Sequence, residues 1–267
     1  MSRTKSIDHA LRVGSAAHYD DARYYAHAYR DRADDVALYV GKAIERSGPI
    51  LEYGCGAGRI TLPLAHAGAD VTGVDASKPM LDELRARLLL EPPHVRARVT
   101  VRPGDMRAIA LKSRYAQIFC TFNTFLHLYT RDDVERFLSQ VCAHLAPGGR
   151  FVFDASVPNP IDLARDASKL FRTRPFVHPT LGRRVKYGER FDYESLRQVL
   201  HVTMEFEPEG APEETFVTPL THRQFFPAEL EALLHYNGLR VVDQQDGFTG
   251  TPLTATSDAI VWTCEHR

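Results

Sequence analysis

Residues 50–59, ILEYGCGAGR, decide how this sequence folds. A short apolar run contains the acidic residue Glu52, and three glycines then follow at alternate positions, Gly54, Gly56 and Gly58. Glycine loses more conformational freedom on folding than any other residue, so this density indicates a turn whose backbone must be approached closely. A strand, a glycine-rich turn and a helix together form an element that binds nucleotides.

Strands and helices alternate on both sides of this turn, from about residue 50 to residue 155. The helix of residues 77–90 has a good start, with Ser77 as N-cap and Pro79 in its first turn. This alternation predicts βαβ units with a parallel sheet and right-handed crossovers. The predicted strands are PILEY, DVTGVD, ARVTVRPGD, AQIFCTFN and RFVFDAS, followed near the end of the sequence by LRVVDQQ and DAIVWTCE.

The pattern changes after Ser156, where prolines and alternating polar and apolar residues replace helical periodicity. We therefore predict an antiparallel insertion at residues 157–221, serving as a substrate lid or a dimer element. Its exposed strands could pair in a homodimer. Residues 1–156 and 222–267 are predicted to form the core domain, with a tyrosine-rich helical cover at the N-terminus.

The composition limits the classes of partner. Among 267 residues, 33 basic side chains face 34 acidic ones, for a net charge of −1, so no basic excess indicates nucleic acid or an anionic membrane. The four cysteines are scattered and the start of the sequence has no apolar signal-peptide region, which predicts a cytoplasmic protein with free thiols. No apolar run is long enough to span a membrane, and no metal-ligand spacing occurs, so no metal is expected.

Two acidic residues follow the glycine turn at strand ends. Asp75 comes 21 residues after Gly54, the interval at which a carboxylate binds ribose hydroxyls in nucleotide folds. Asp105 and Met106 close the third strand and could hold an adenine ring. Each alone reads equally as a helix cap or a turn. The third glycine comes one residue too early for the dinucleotide fingerprint, whose last position here is Arg59.

The order of these segments resembles the class I S-adenosylmethionine-dependent methyltransferases of the small-molecule type. The matching segments are ILEYGCGAGR, VTGVDASKPML, PGDM, IFCTFNTFLHL and HLAPGGRFVFD. Sugar-amine N-methyltransferases and the glycine/sarcosine type are most similar, over residues 19–156 and more loosely from Thr221 onward. The resemblance implies a Rossmann-like, seven-stranded, mostly parallel sheet between helices, with the antiparallel insertion after the fifth strand. It implies S-adenosylmethionine as cofactor and in-line methyl transfer to nitrogen or oxygen of a small-molecule acceptor.

The resemblance also implies the site residues. The methionine part of the cofactor would lie at the glycine turn, the ribose at Asp75, the adenine at Asp105, and the sulfonium beside the turn after the fourth strand. Tyr53 stands where the family usually has an apolar residue or alanine. The expected cofactor residues are Tyr19, Glu52, Gly54, Cys55, Gly56, Gly58, Asp75, Ala76, Met80, Asp105, Met106, Phe122 and Asn123.

Acceptor residues are expected near the same sheet edge. His127 follows the fourth strand and is predicted to face the acceptor and act in catalysis, or else to be a structural histidine. Tyr24 is the second predicted catalytic residue, although an amphipathic helix burying its tyrosines would explain the same spacing. The remaining predicted substrate residues are Tyr29, His222 and Arg223, with a cross-strand ion pair as the alternative for the arginine.

Three alternatives to a small-molecule methyltransferase remain. An NAD(P)-dependent oxidoreductase would need the G-x-G-x-x-G turn and a Tyr-x-x-x-Lys donor, which this sequence lacks. A non-catalytic S-adenosylmethionine-binding protein would keep the cofactor half with a filled acceptor side. A methyltransferase acting on nucleic acid is disfavoured by the charge and by the missing (N/D)PPY element at residues 122–125.

Overall fold

A computed structural model describes residues 9–267. The chain divides into two compact units. The core unit consists of Arg30–Val157 and Phe225–Arg267, and the small unit consists of the N-terminal segment up to Tyr29 together with Pro158–Gln224. The structure therefore groups the tyrosine-rich N-terminal segment with the insertion, where the sequence prediction had attached it to the core.

Most of the predicted helices and strands are present within one or two residues of their expected bounds. The strands are β1 (Ile50–Tyr53), β2 (Val71–Asp75), β3 (Val99–Pro103), β4 (Tyr115–Cys120), β5 (Leu145–Ser156), β6 (Phe171–Arg172), β7 (Phe176–Val177), β8 (Arg184–Glu194), β9 (Val199–Pro208), β10 (Phe216–Arg223), β11 (Leu239–Asp246) and β12 (Ala259–His266). The α-helices with defined bounds are α1 (Ala22–Ala28), α2 (Asp34–Glu45), α3 (Thr61–His66), α4 (Lys78–Leu90), α5 (Pro93–Arg96), α6 (Arg131–His144), α7 (Pro160–Leu163) and α8 (Pro227–Tyr236).

The sheet of the core unit has seven strands in the order β11-β12-β5-β4-β1-β2-β3. β1 lies in the middle and pairs in parallel with both β2 and β4, while β12 is antiparallel to β5 and β11. The predicted seven-stranded, mostly parallel sheet is thus confirmed. Because parallel strands end at one edge, the residues after β1, β2, β4 and β5 lie close together, where open α/β sheets bind ligands.

Both faces of this sheet are covered by apolar side chains. All four residues of β1 are buried, as expected for a central parallel strand. On one face α2 contributes Tyr39, which packs with Phe119 and Val152. On the other face α6 and α8 pack over a larger cluster of aromatic and aliphatic side chains. Helix α6 begins at Arg131 because the preceding Thr130 and Asp133 form a reciprocal capping box.

The small unit has its own antiparallel sheet, which confirms the predicted insertion after the fifth strand. Its strands follow the order β10-β9-β8-β6, and β7 also pairs with β8. Tyr24 of α1 packs among Val185, Val202 and Phe206 of this sheet, and this burial explains why the N-terminal segment belongs to the small unit. Across residues 9–267 the helices are all too short or too polar to cross a membrane.

Candidate functional site

The glycine turn after β1 is left-handed at each of its three glycines. Gly54, Gly56 and Gly58 have φ values of 70°, 53° and 83°, a region that residues with a Cβ rarely adopt. Their neighbours also leave no room for a side chain. A Cβ at Gly54 would lie 2.5 Å from the Thr124 side chain, and one at Gly58 would lie 2.3 Å from Leu84. Packing within the protein therefore explains these glycines, in addition to any ligand.

The amide groups of this turn donate within the protein. Those of Gly54 and Cys55 bond the Val74 carbonyl at 2.8 and 3.1 Å, and that of Gly58 bonds the Cys55 carbonyl at 3.0 Å. The Gly56 amide donates to the carboxylate of Asp75. These four amides are thus already hydrogen-bonded within the protein, whereas a carbonyl oxygen can accept a second hydrogen bond from a donor such as an ammonium group.

Asp75 is placed at the end of β2, beside the turn. Its Oδ2 accepts from the Gly56 amide at 2.8 Å, and its Oδ1 accepts from the Ser77 amide at 2.7 Å. Burial raises the pKa of this carboxyl, and hydrogen bonds from the backbone amides of Ser77, Gly56 and Ala76 oppose that rise. A carboxylate can accept about four hydrogen bonds, so acceptor capacity remains for a ligand hydroxyl.

Glu52 lies beneath the turn and is 1% exposed. The hydroxyl of Thr61 donates to its Oε2 at 2.6 Å. Burial raises the pKa of Glu52 from 4.5 to about 8, while Thr61 and the positive charge of Arg59 act in the opposite direction. The site thus contains a buried acid whose pKa is raised by desolvation, as is common at functional sites.

The turn after β4 is formed by Phe122 and Asn123, both with positive φ. Their amides donate to the carboxylate of Asp154 at 2.7 and 2.9 Å, and the hydroxyl of Tyr39 donates to the same carboxylate at 2.7 Å. The Asn123 side chain accepts from Ser156 at the end of β5. This turn lies at the carboxyl edge of the sheet, as expected.

The Phe122 ring is flanked by cationic side chains. The guanidinium of Arg59 lies 4.6 Å from the ring centroid, and that of Arg32 lies 4.9 Å from it. Arg59 also makes a bidentate ion pair with the buried Asp35 at 2.6 and 2.7 Å. The cation–π contacts stabilise the ring in this position, and the ion pair with Asp35 holds the Arg59 guanidinium against it.

Asp105 follows β3 and is held by Arg107 through both carboxylate oxygens, at 2.7–3.1 Å. This guanidinium lowers the pKa of Asp105 and also bonds Asp133 at 2.6 Å. Asp105 is therefore ionised, and an adenine amino group would share it with Arg107. Met106 packs against the main apolar cluster of the core unit.

The other predicted cofactor residues of the core unit surround the same turn. Met80 is buried, and its Cε would lie 3.0 Å from a Cβ at Gly56, whereas Ala76 is exposed. Cys55 is buried, and burial raises the pKa of its thiol well above 9.0. His127 ends the short 3-10 helix after β4, with its Nδ1 3.2 Å from the Tyr129 hydroxyl.

The predicted residues of the small unit fall into two places. The tyrosines 19, 24 and 29 surround a buried histidine, His18, whose Nε2 lies 3.0 Å from the Tyr29 hydroxyl. Tyr24 itself is 7% exposed, with its ring stacked on His178. His222 and Arg223 lie at the end of β10, where they pair with β9. Their expected roles toward cofactor and acceptor stay predictions.

Sequence reasoning missed four residues that support the turn after β4. Asp154 and Tyr39 were taken only as parts of a strand and a helix, and Arg59 only as a mismatch to a fingerprint. A signal existed for Asp154, an acid within the apolar strand FVFDAS. The four residues are Asp35, Tyr39, Arg59 and Asp154.

Comparison with known proteins supports a methyltransferase. The profile of a family described as "Methyltransferase domain" matches residues 50–149, which include the glycine turn and Asp75. The Cypemycin N-terminal methyltransferase of a Streptomyces species is 28% identical over 220 residues, covering 82% of this chain and 83% of that protein. The dTDP-3-amino-3,4,6-trideoxy-alpha-D-glucopyranose N,N-dimethyltransferase of Streptomyces venezuelae is 25% identical, covering 47% of this chain and 50% of that protein.

The solved structure of the CcbJ methyltransferase from Streptomyces caelestis is similar over almost the whole chain. It is 26% identical, with a TM-score of 0.77, and the match covers 90% of this chain and 95% of that one. The protein has the class I methyltransferase fold and is an S-adenosylmethionine-dependent methyltransferase. The predicted fold class, enzyme class and cofactor are confirmed, and the comparisons give no support to an oxidoreductase.

The residues of the core unit fit this cofactor chemically. Asp75 retains acceptor capacity for a ribose hydroxyl, and carbonyl oxygens of the turn could accept from the ammonium group. Glu52 can balance positive charge when it ionises. When bound, the cofactor supplies an electrophilic methyl group.

Proposed function

We propose that this enzyme methylates the nitrogen of a small-molecule amine. The relative matched over most of the chain is named for methylation at an N-terminus, and the sugar-modifying relative is named as an N,N-dimethyltransferase. Both names describe amino groups, although their acceptors differ in size. Nitrogen is therefore favoured over oxygen as the atom that receives the methyl group.

The structural observation that carries the methyltransferase activity in this proposal is the arrangement around Asp75. A half-buried carboxylate with unused acceptor capacity lies beside a left-handed glycine turn, at the carboxyl ends of central parallel strands. That arrangement lies within the matched methyltransferase domain. It suits an adenosyl group with an amino-acid chain and does not suit a pyrophosphate, which would need the longer loop.

The residues of the chain would contribute mainly by orientation and exclusion of water. Methyl transfer to a lone pair needs alignment of donor and acceptor, and no charged intermediate needs to be built. An amine that arrives protonated must first lose a proton, and His127 is the proposed base of the core unit. We propose that residues 157–221 choose the acceptor and that the acceptor is neither nucleic acid nor a membrane component.

The test begins with the purified protein, without added ligand. Mass spectrometry of the bound material should detect S-adenosylmethionine or its demethylated product, and calorimetry should show binding of both. Transfer of radiolabelled methyl from S-adenosylmethionine should then be measured with amino sugars, peptides with a free N-terminus and matched hydroxyl compounds. Binding without transfer to any amine, together with transfer to a hydroxyl compound, would refute nitrogen as the acceptor atom.

A further inference from the structure

The backbone at Phe122 and Asn123 is held in an unfavourable conformation. Their φ values are 55° and 61°, and in residues 9–267 the only other non-glycine residue with positive φ is Gln198. A bulky aromatic residue rarely adopts this region, and two successive residues do so only when their surroundings fix them. Neighbouring side chains must therefore hold this turn in place.

Asp154 fixes the backbone of the turn. One carboxylate oxygen accepts from the Phe122 amide at 2.7 Å, and the other accepts from the Asn123 amide at 2.9 Å. The Tyr39 hydroxyl donates to the first of these oxygens at 2.7 Å. Asp154 is 3% exposed and Tyr39 is fully buried, so water does not compete for these bonds. Only a carboxylate can accept at both oxygens at once, because a side-chain amide accepts at one.

Helix α2 fixes the ring of the same turn. Asp35 lies four residues before Tyr39, so both side chains lie on one face of the helix. Asp35 holds Arg59 through two hydrogen bonds, and the Arg59 guanidinium lies 4.6 Å from the centroid of the Phe122 ring. One helix face therefore restrains the turn through both its backbone and its aromatic side chain.

The arrangement that supports this turn has an energetic cost, and a function of the turn would explain why the cost is accepted. A buried carboxylate is expensive to desolvate, and burial raises the pKa of Asp154. Glycine at both positions would form the same backbone without any such support. The chain instead keeps two residues with side chains in the turn and supports them with a buried acid and a phenol.

We propose that Asp154, with Tyr39, is a positioning residue for methyl transfer, because it fixes the Phe122–Asn123 turn beside the methyl-bearing end of the cofactor. This inference rests on the proposed function, which places S-adenosylmethionine along this edge of the sheet. Asp154 acts through the turn and does not itself touch the reacting atoms. Its loss should therefore affect the sulfonium end of the ligand and leave the adenosine end unchanged.

The test compares binding of S-adenosylmethionine with binding of adenosine, by calorimetry, in a set of variants. Asp154→Asn replaces one acceptor with a donor that faces an amide. It should weaken S-adenosylmethionine binding about tenfold or more, as for loss of a hydrogen bond to a charged group, while adenosine affinity changes less than about twofold. Hydrogen exchange at the Phe122 and Asn123 amides should accelerate in the same variant.

A gentler pair of variants covers the case in which Asp154→Asn does not fold. Tyr39→Phe and Tyr53→Phe each remove one buried hydroxyl, and the Tyr53 hydroxyl bonds His144 at 2.8 Å. Both should lower the melting temperature by similar amounts. Only Tyr39→Phe should weaken S-adenosylmethionine binding relative to adenosine.

A glycine substitution in the turn distinguishes an effect of Asp154 on the turn from a general effect of Asp154 on stability. Asn123→Gly should reduce the effect of Asp154→Asn, because glycine adopts positive φ without restraint. Equal losses for both ligands, purely additive effects in the double variant, or equal behaviour of the two tyrosine variants would overturn the inference. A wild-type protein that binds neither ligand would instead overturn the proposed function.

Discussion

Replacing Glu52 by glutamine should stabilise the unliganded enzyme. Because its pKa is about 8 in the folded protein and 4.5 ordinarily, Glu52 holds a proton in the fold that the unfolded chain releases between those values. The free energy of unfolding therefore falls as the pH rises through this window. At pH 7 the difference amounts to about 3 kcal/mol, and above pH 9 to about 5 kcal/mol, at 1.36 kcal/mol per pKa unit.

Glutamine has the same shape as glutamate and cannot ionise, so it avoids this cost. Its carbonyl oxygen can still accept from the Thr61 hydroxyl, which is 2.6 Å from the carboxylate. We expect a gain of about 3 kcal/mol at pH 7, or roughly 5–10 °C in melting temperature for a chain of this size. The gain should be absent near pH 4. Affinity for S-adenosylmethionine should fall, because a neutral amide cannot balance a cationic ligand.

Urea unfolding of the wild type and of Glu52→Gln at pH 5, 7 and 9 checks this expectation. Glu135→Gln provides the control, since Glu135 is exposed and its carboxylate lies 3.3 Å from the Arg131 guanidinium on the surface of α6. The control should run parallel to the wild type across the pH range. If Glu52→Gln also runs parallel, or loses stability at pH 9, Glu52 is ionised in the fold and the reasoning is wrong.

Three further predictions concern single side chains. Asp75→Ala should weaken S-adenosylmethionine binding several-fold or more in calorimetry, and an unchanged affinity would remove Asp75 from the site. His127→Ala should lower turnover more than cofactor affinity, and the opposite pattern in steady-state kinetics would assign it a structural role. Burial lowers the pKa of His18 to about 4, so stability should be lost as the pH falls from 6.5 toward 4, by about 2 kcal/mol at pH 5. His18→Phe should lack this loss in urea unfolding at pH 5 and pH 7.5, and an equal loss in both proteins would contradict it.

The fold could be predicted because its signals are local. The helix predicted at residues 77–90 is indicated by Ser77 as N-cap and Pro79 in its first turn, and α4 spans Lys78–Leu90 with Ser77 as its N-cap. The glycine turn and Asp75 were found for the same reason, since strand ends and left-handed turns leave their mark on adjacent residues. The cause assigned to the glycines was incomplete, because the Leu84 and Thr124 side chains also exclude a Cβ there.

The supports of the second turn could not be predicted in this way. Tyr39 and Asp154 are 115 positions apart and meet only after the sheet has brought β5 beside β4. Each reads separately as an ordinary core or strand residue. Asn123 carried a weak local signal, since asparagine tolerates positive φ, but Phe122 gave the contrary one. A single sequence does not show which distant residues come into contact once the strands have paired.

The composition of the small unit has a consequence for protein engineering. Its stability depends on two separate stretches, as Thr180 bonds Asp21 at 2.7 Å and Tyr24 packs against Phe206. A chimera that exchanges only Pro158–Gln224 with a homologous enzyme would pair a foreign sheet with the host's tyrosine helix. An intact graft of the small unit would therefore need both stretches to come from the same donor, with the segment up to Tyr29 included.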